Sequence, residues 1–163
     1  MEKTNLLAMI GSVLDDAGIP YEYEEISGRN ALVLRFSDDE DTPEDCTLVL
    51  DDLVNECTAL NYFVIVSTDI DEKTMGELIQ VMPDFNLMIR VGGFGLMVDD
   101  GVLYFNYSLL TDDLDEENLL KSIMTSLDIV IGVSDQGKKI LLPLLKGEKT
   151  AEQLMQEDFR LMV

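Results

Sequence analysis

The sequence predicts an α+β domain with an antiparallel sheet, its elements running helix, strands, helix, strands, helix. Three observations carry that prediction. Apolar residues recur at helical spacing near both ends of the chain, between Leu6 and Ala17 and between Leu120 and Ile131. The stretches between them contain short runs of strand character. Those runs are joined by turn-rich segments, which makes hairpins and not the crossovers of a parallel nucleotide-binding sheet. At 163 residues the chain has the length of a single domain, 1–163, with enough material for a real core.

Leu6, Leu7, Ile10, Val13, Leu14 and Ala17 predict an amphipathic helix from about Thr4. Gly18 then stands where a left-handed cap belongs, Ile19 can pack back on Leu14, and Pro20 forbids continuation. Tyr21–Ile26 and Ala31–Phe36 flank the turn-rich Ser27-Gly28-Arg29-Asn30 and form a first hairpin, with Leu32, Leu34 and Phe36 on one face. Ser37 to Asp45 is too dense in charge for a strand and reads as a solvated loop. Cys46–Leu50 resumes the sheet. Leu60–Val66, apolar on both faces, predicts a central strand covered on both sides, and Asp51–Ala59 is either a wide loop or one helical turn.

Asp69 and Glu72 offer a capping box for a helix whose stripe is Met75, Leu78, Ile79 and Met82, ended by Pro83. Phe85–Val91 reads as a strand and Gly92-Gly93 as a bulge. A hairpin folded at Asp100-Gly101 would pair Val98 with Leu103, Leu96 with Phe105 and Phe94 with Tyr107. Asp113 and Glu116 predict a second capping box, opening the helix of Leu120, Ile123, Met124, Leu127, Val130 and Ile131. Beyond Gly132 the pattern weakens to a short helix at Lys138–Leu145, interrupted at Pro143. Thr150 and Gln153 then cap a last helix with Leu154, Met155 and Phe159.

Composition bounds the function. The net charge is −22, with 27 acids and 5 bases in residues 1–120 against 6 of each in 121–163. Such acidity repels phosphates and argues against nucleic acid as a partner. No apolar run is long enough for a membrane span, and the first residues lack the apolar core of a signal peptide, so a cytoplasmic protein is expected. Cys46 and Cys57 read as reduced, buried thiols, not as a metal or redox pair.

The absence of histidine removes Ser-His-Asp and Cys-His catalysis and histidine-bearing zinc sites. The acidic loop fails the calcium-hand pattern, because Pro43 and Glu44 stand where an acid and a glycine belong. Gly92-Gly93-Phe94-Gly95 lacks the following helix and lysine of a phosphate loop. Of the adjacent aspartates, Asp38/Asp39, Asp99/Asp100 and Asp112/Asp113 have structural reasons in a loop, a turn and a helix start. Asp51/Asp52 has none. No cofactor, metal site or catalytic residue is expected, and the chain reads as a non-enzyme. Two alternatives stand beside that reading: a divalent-metal enzyme built on Asp51 and Asp52, and an acidic mimic of nucleic acid.

Nine methionines suit adaptable contact surfaces. Met97 is singled out because its face of the hairpin, shared with Val102 and Tyr104, has no helix assigned to it. Those three residues are the candidate partner or dimer face, to be covered either by Lys138–Phe159 folding back or by a second copy of the chain.

Phe85-Asn86 followed by Gly93-Phe94-Gly95-Leu96-Met97-Val98-Asp99-Asp100-Gly101-Val102-Leu103-Tyr104-Phe105 resembles the YbjN family of bacterial sensory transduction regulators. In that family a helix ends near an asparagine, a hairpin with an acidic-glycine turn follows, and a long helix closes the unit. The resemblance covers about residues 4–131, leaves 132–163 as a C-terminal helical extension, and departs from the family again at Asp51–Ala59. It implies a type III secretion chaperone-like fold, with small acidic homodimers that bind other polypeptides. It carries over no catalytic residue. The expected function is therefore a non-catalytic, chaperone-like or regulatory interaction module with itself and a polypeptide client as partners.

Overall fold

The computed structural model describes residues 3–35, 45–53, 57–112 and 115–157. The elements are α1 (Lys3–Ala17), β1 (Tyr21–Ile26), β2 (Arg29–Arg35), β3 (Asp45–Asp52), β4 (Thr58–Ser67), α2 (Glu72–Leu87), β5 (Gly93–Met97), β6 (Val102–Leu110), α3 (Glu116–Leu145) and α4 (Ala151–Met155). The strands form an antiparallel open sheet in the order β1-β2-β3-β4-β6-β5, in the predicted α+β class. Packing divides the chain into two compact units, Met1–Val64 with Tyr107–Asp128 and Ile65–Asn106 with Ile129–Val163. Among the described residues, no helix is long and apolar enough to cross a membrane.

In the first unit, α1 buries Leu6, Leu7, Ile10 and Leu14 of the predicted stripe, while Val13 is half-buried and Ala17 exposed. Gly11 is bare for a reason: a Cβ there would lie 2.6 Å from the Tyr23 hydroxyl and 2.8 Å from that of Tyr21. Gly18 takes a left-handed φ of 69°, and the Ile19 amide reaches back to the Leu14 carbonyl. The first hairpin is tighter than the predicted four-residue turn. Ser27 and Gly28 both have positive φ, giving a two-residue turn, so Ile26 pairs with Arg29 and Asn30 lies within β2. Leu32, Leu34, Cys46, Leu48, Leu50, Leu60, Tyr62 and Val64 build the core face of β2, β3 and β4. The Tyr62 hydroxyl donates to the Ile123 carbonyl, and Leu119, Ile123 and Leu127 of α3 complete the core.

The expectation that β4 is covered on both sides is corrected. Buried Leu60, Tyr62, Val64 and Val66 alternate with half-buried Asn61 and Phe63 and with Ile65, which is 41% exposed. A doubly covered strand and an apolar strand with one open face read alike in sequence. The start of α3 also differs. Asp115 caps it, accepting from the Asn118 amide and side chain, whereas Asp113, like most of the acidic loop and Phe159, lies outside the described residues.

In the second unit, Asp71 caps α2 by accepting from the amide and hydroxyl of Thr74, in place of the predicted Asp69–Glu72 box. Pro83 does not end the helix, and the strand predicted at Phe85–Val91 is the last turn of α2 followed by irregular chain. Pro83 is exposed, and the carbonyl that loses its bond belongs to Ile79, which faces solvent. Burial of Val81, Met82 and Phe85 offsets the cost of about 3 kcal/mol. Ile79 is thus removed from the predicted core stripe. Likewise α3 runs unbroken through Gly132, Gly137 and Pro143, burying Val133, Leu141 and Leu144 where a break and then a separate short helix at Lys138–Leu145 are predicted. The α4 capping box of Thr150 and Gln153 is present as predicted. Glu77 of α2 accepts from the Ala151 amide, which fastens the start of α4 to α2.

Candidate interaction surface

The β5–β6 hairpin positions the residues singled out from sequence. Its register differs by two residues from the prediction: Phe94 pairs with Phe105, Leu96 with Leu103, Gly95 with Tyr104 and Met97 with Val102. A two-residue Asp-Gly turn needs positive φ at both positions, and here Gly101 has it (65°) while Asp100 does not. Val98-Asp99-Asp100-Gly101 forms the loop instead, with Asp100 and Gly101 amides donating to the Met97 and Val98 carbonyls. The Ile70 amide donates to the Gly101 carbonyl at 3.0 Å, and a Cβ on Gly101 would sit 2.9 Å from the Ile70 carbonyl oxygen. The longer loop therefore has a docking partner. An even shift preserves which side chains share a face, but it expels Val98 from the sheet and leaves Tyr107 without a β5 partner. Tyr107 instead stacks against Tyr62, ring centroids 5.8 Å apart.

On the core side of this hairpin, Phe94 lies between Phe85 of α2 and Phe105, at centroid distances of 5.3 and 5.0 Å. Its ring also presses on Gly137 of α3, where any Cβ would collide with it. Asn86 brackets the Phe94 backbone, donating to its carbonyl and accepting from its amide, each at 2.8 Å. The side chain of Asn86 thereby occupies part of the edge strand as another strand would. The sequence marks Asn86 only through the resemblance, in which a helix ends near an asparagine ahead of the hairpin; its bracketing of Phe94 is not legible there.

The opposite side carries Met97, Val102 and Tyr104. Tyr104 folds its ring over Gly95, so that a Cβ at Gly95 would strike it, and Tyr104 and Val102 are half-buried while Met97 is 38% exposed. Ile65 of β4 belongs to this side too. It alternates with buried Val64 and Val66, just as Val102 and Tyr104 alternate with buried Leu103 and Phe105. Sequence reasoning missed Ile65 by taking both faces of β4 as covered. Within this unit α2 and α3 meet the hairpin through Phe94, on the core side, and α4 is fastened to α2. The described part of Lys138–Phe159 therefore does not fold over Met97 and Tyr104.

The first unit has its own outward side. Val49 and Phe63 are half-buried there, beside the buried Val33. Asp51, unexplained in the sequence, forms an ion pair with Arg29 and accepts from the Asn61 side-chain Nδ2 at 2.7 Å. Ser108 donates to Asn61 in turn. Both oxygens of Asp51 are engaged by strand neighbours, and adjacent Asp52 points to the other face of β3. A hydrogen-bond network accounts for Asp51 without a metal. Among the described residues, no group of three or more acidic or cysteine side chains is arranged to hold a metal ion.

Titration shifts have structural causes. Burial pushes the Cys46 thiol up to about 12, whereas Cys57 is half-buried and shares no disulfide with it. Burial, with the Asp15 carboxylate that accepts from its hydroxyl, pushes Tyr21 up to about 12. The bonds from Thr74 hold Asp71 below the usual carboxylate range, and those from Asn118 do the same for Asp115. These are a buried thiol, a tyrosine beside a carboxylate, and two helix caps. No protein-family model matches the chain, and the curated proteins contain no match to it.

Proposed function

We propose that this protein is a cytoplasmic, non-catalytic interaction module that binds polypeptide through the outward side of its sheet, a second copy of the chain being its first partner. One observation carries the reading: Ile65 and Met97 stand 41% and 38% exposed on the side of the sheet that carries Val102 and Tyr104, away from Phe94 and the helices that meet it. Exposed apolar residues grouped on one face mark contact surfaces. Isologous pairing would bury the same patch twice with no further sequence. The resemblance to the YbjN family implies a secretion-chaperone-like fold, in which small acidic homodimers are typical, and supports the same reading; the high negative charge disfavours a nucleic-acid partner.

The test is the mass in solution, by light scattering coupled to size exclusion, of the wild type and of Ile65→Lys combined with Met97→Glu. Both positions are partly exposed, so the fold should tolerate the pair. A dimeric wild type and a monomeric variant with unchanged circular dichroism are expected. A monomeric wild type, a dimeric variant, or a variant that unfolds would each remove this face from the proposed role.

A further inference from the structure

A second surface in the unit Ile65–Asn106 with Ile129–Val163 is distinct from the sheet face. A groove of about 680 Å³ runs between the start of α2 and the 98–101 loop. Four residues of α2 line it, Glu72, Met75, Gly76 and Ile79, and their spacing is that of one helical face. Ile79 is 49% exposed and Val98, on the facing wall, 53% exposed. Each is therefore a large apolar side chain held at a concave surface and still open to water. The two walls are tied by the bond from the Ile70 amide to the Gly101 carbonyl, so the groove is preformed.

Gly76 is the telling residue. Glycine inside a helix costs about 1 kcal/mol relative to alanine; at Gly11 and Gly137 neighbouring rings occupy the space of a Cβ, whereas Gly76 and Gly132 meet nothing, and of these two Gly76 lines the groove. At Gly76 a Cβ would meet nothing within 4 Å. Among the described residues no packing accounts for it, and Gly76 lines the groove. A missing side chain there lets another backbone approach α2 closely beside the exposed Ile79. The rim adds a charge preference: Asp69, Asp99 and Asp100 join Glu72 around the groove, and no lysine or arginine is among the described residues that line it.

We infer that this groove docks an amphipathic helix of a partner polypeptide, with an apolar stripe laid along Gly76, Ile79 and Val98 and flanking lysines or arginines meeting the acidic rim. The spacing of the α2 anchors favours a helix over an extended strand. The charge excludes anionic lipid and nucleic acid as occupants.

The probe is a fluorescent peptide of about 18 residues, leucine and lysine in helical pattern, titrated by anisotropy. Controls are an oligolysine of equal charge and a leucine–glutamate peptide. The wild type should bind the leucine–lysine peptide one per chain, more weakly as salt rises, and prefer it to oligolysine. Gly76→Gln fills the groove with a better helix former. It should raise the melting temperature by about 2–4 °C while weakening binding about tenfold or more. Ile79→Ser should weaken binding similarly, whereas Glu24→Gln with Glu25→Gln on β1 should leave it unchanged. Unaltered binding by Gly76→Gln and Ile79→Ser, equal affinity for oligolysine, or a lower melting temperature for Gly76→Gln would overturn the inference. The mass of Gly76→Gln in solution should equal that of the wild type, which separates this groove from the sheet face.

Discussion

The ring of Phe94 rests on the bare backbone of Gly137, in the second half of α3. Gly132, five residues earlier on the same helix, meets nothing. The two glycines therefore answer the same substitution with opposite signs. Gly132→Ala should stabilise by about 0.5–1 kcal/mol, through helix propensity alone. Gly137→Ala gains the same propensity but drives a methyl into the Phe94 ring, and overpacking of about 1–3 kcal/mol should leave it destabilised. Urea unfolding of both variants decides the matter, and equal stabilisation would mean that Phe94 is not seated there. Asp51 teaches a related lesson about single residues. Read beside Asp52 it suggested a metal, but its partners Arg29 and Asn61 stand on β2 and β4, distant in sequence and invisible until the strands pair.

At the scale of elements, the fold class, α1 with its glycine cap and the α4 capping box were legible because each rests on spacing within a few residues. The errors came where local rules met long-range packing. Proline and glycine in α2 and α3 look like breaks, yet buried stripes on either side carry both helices through. The hairpin register was set by the docking of its loop on Ile70, a contact that neighbouring residues do not announce. The candidate face was partly legible: Met97, Val102 and Tyr104 share a side as expected, because the period of two survives an even register shift. Tyr104 proved to be half occupied with Gly95, and Ile65 joined the side unannounced. The groove along α2 was not legible, since Ile79 read as core while α2 was expected to stop at Pro83.

For the whole molecule, 33 acids face 11 bases, so most carboxylates have no cation to pair with. Self-repulsion should make neutral pH suboptimal. The shifted groups do not oppose this between pH 7 and 5. Asp71 and Asp115 have folded values below their unfolded ones, so their contribution is present above about pH 4 and is lost only as pH falls through the depressed values. The melting temperature should rise from pH 7 towards about pH 5 and fall below about pH 4, with the rise flattened by salt. A steady fall from pH 8 to pH 5 would contradict this balance of charge. The central claim is that the side of the sheet bearing Met97 meets another polypeptide, first of all its own copy. The most direct measurement places a benzophenone amino acid at Met97, or as a control at the exposed Asn118 of α3, and irradiates the purified protein. A covalent dimer from position 97 and none from position 118 is the predicted result; no dimer from 97, or equal yields from both, would contradict the account.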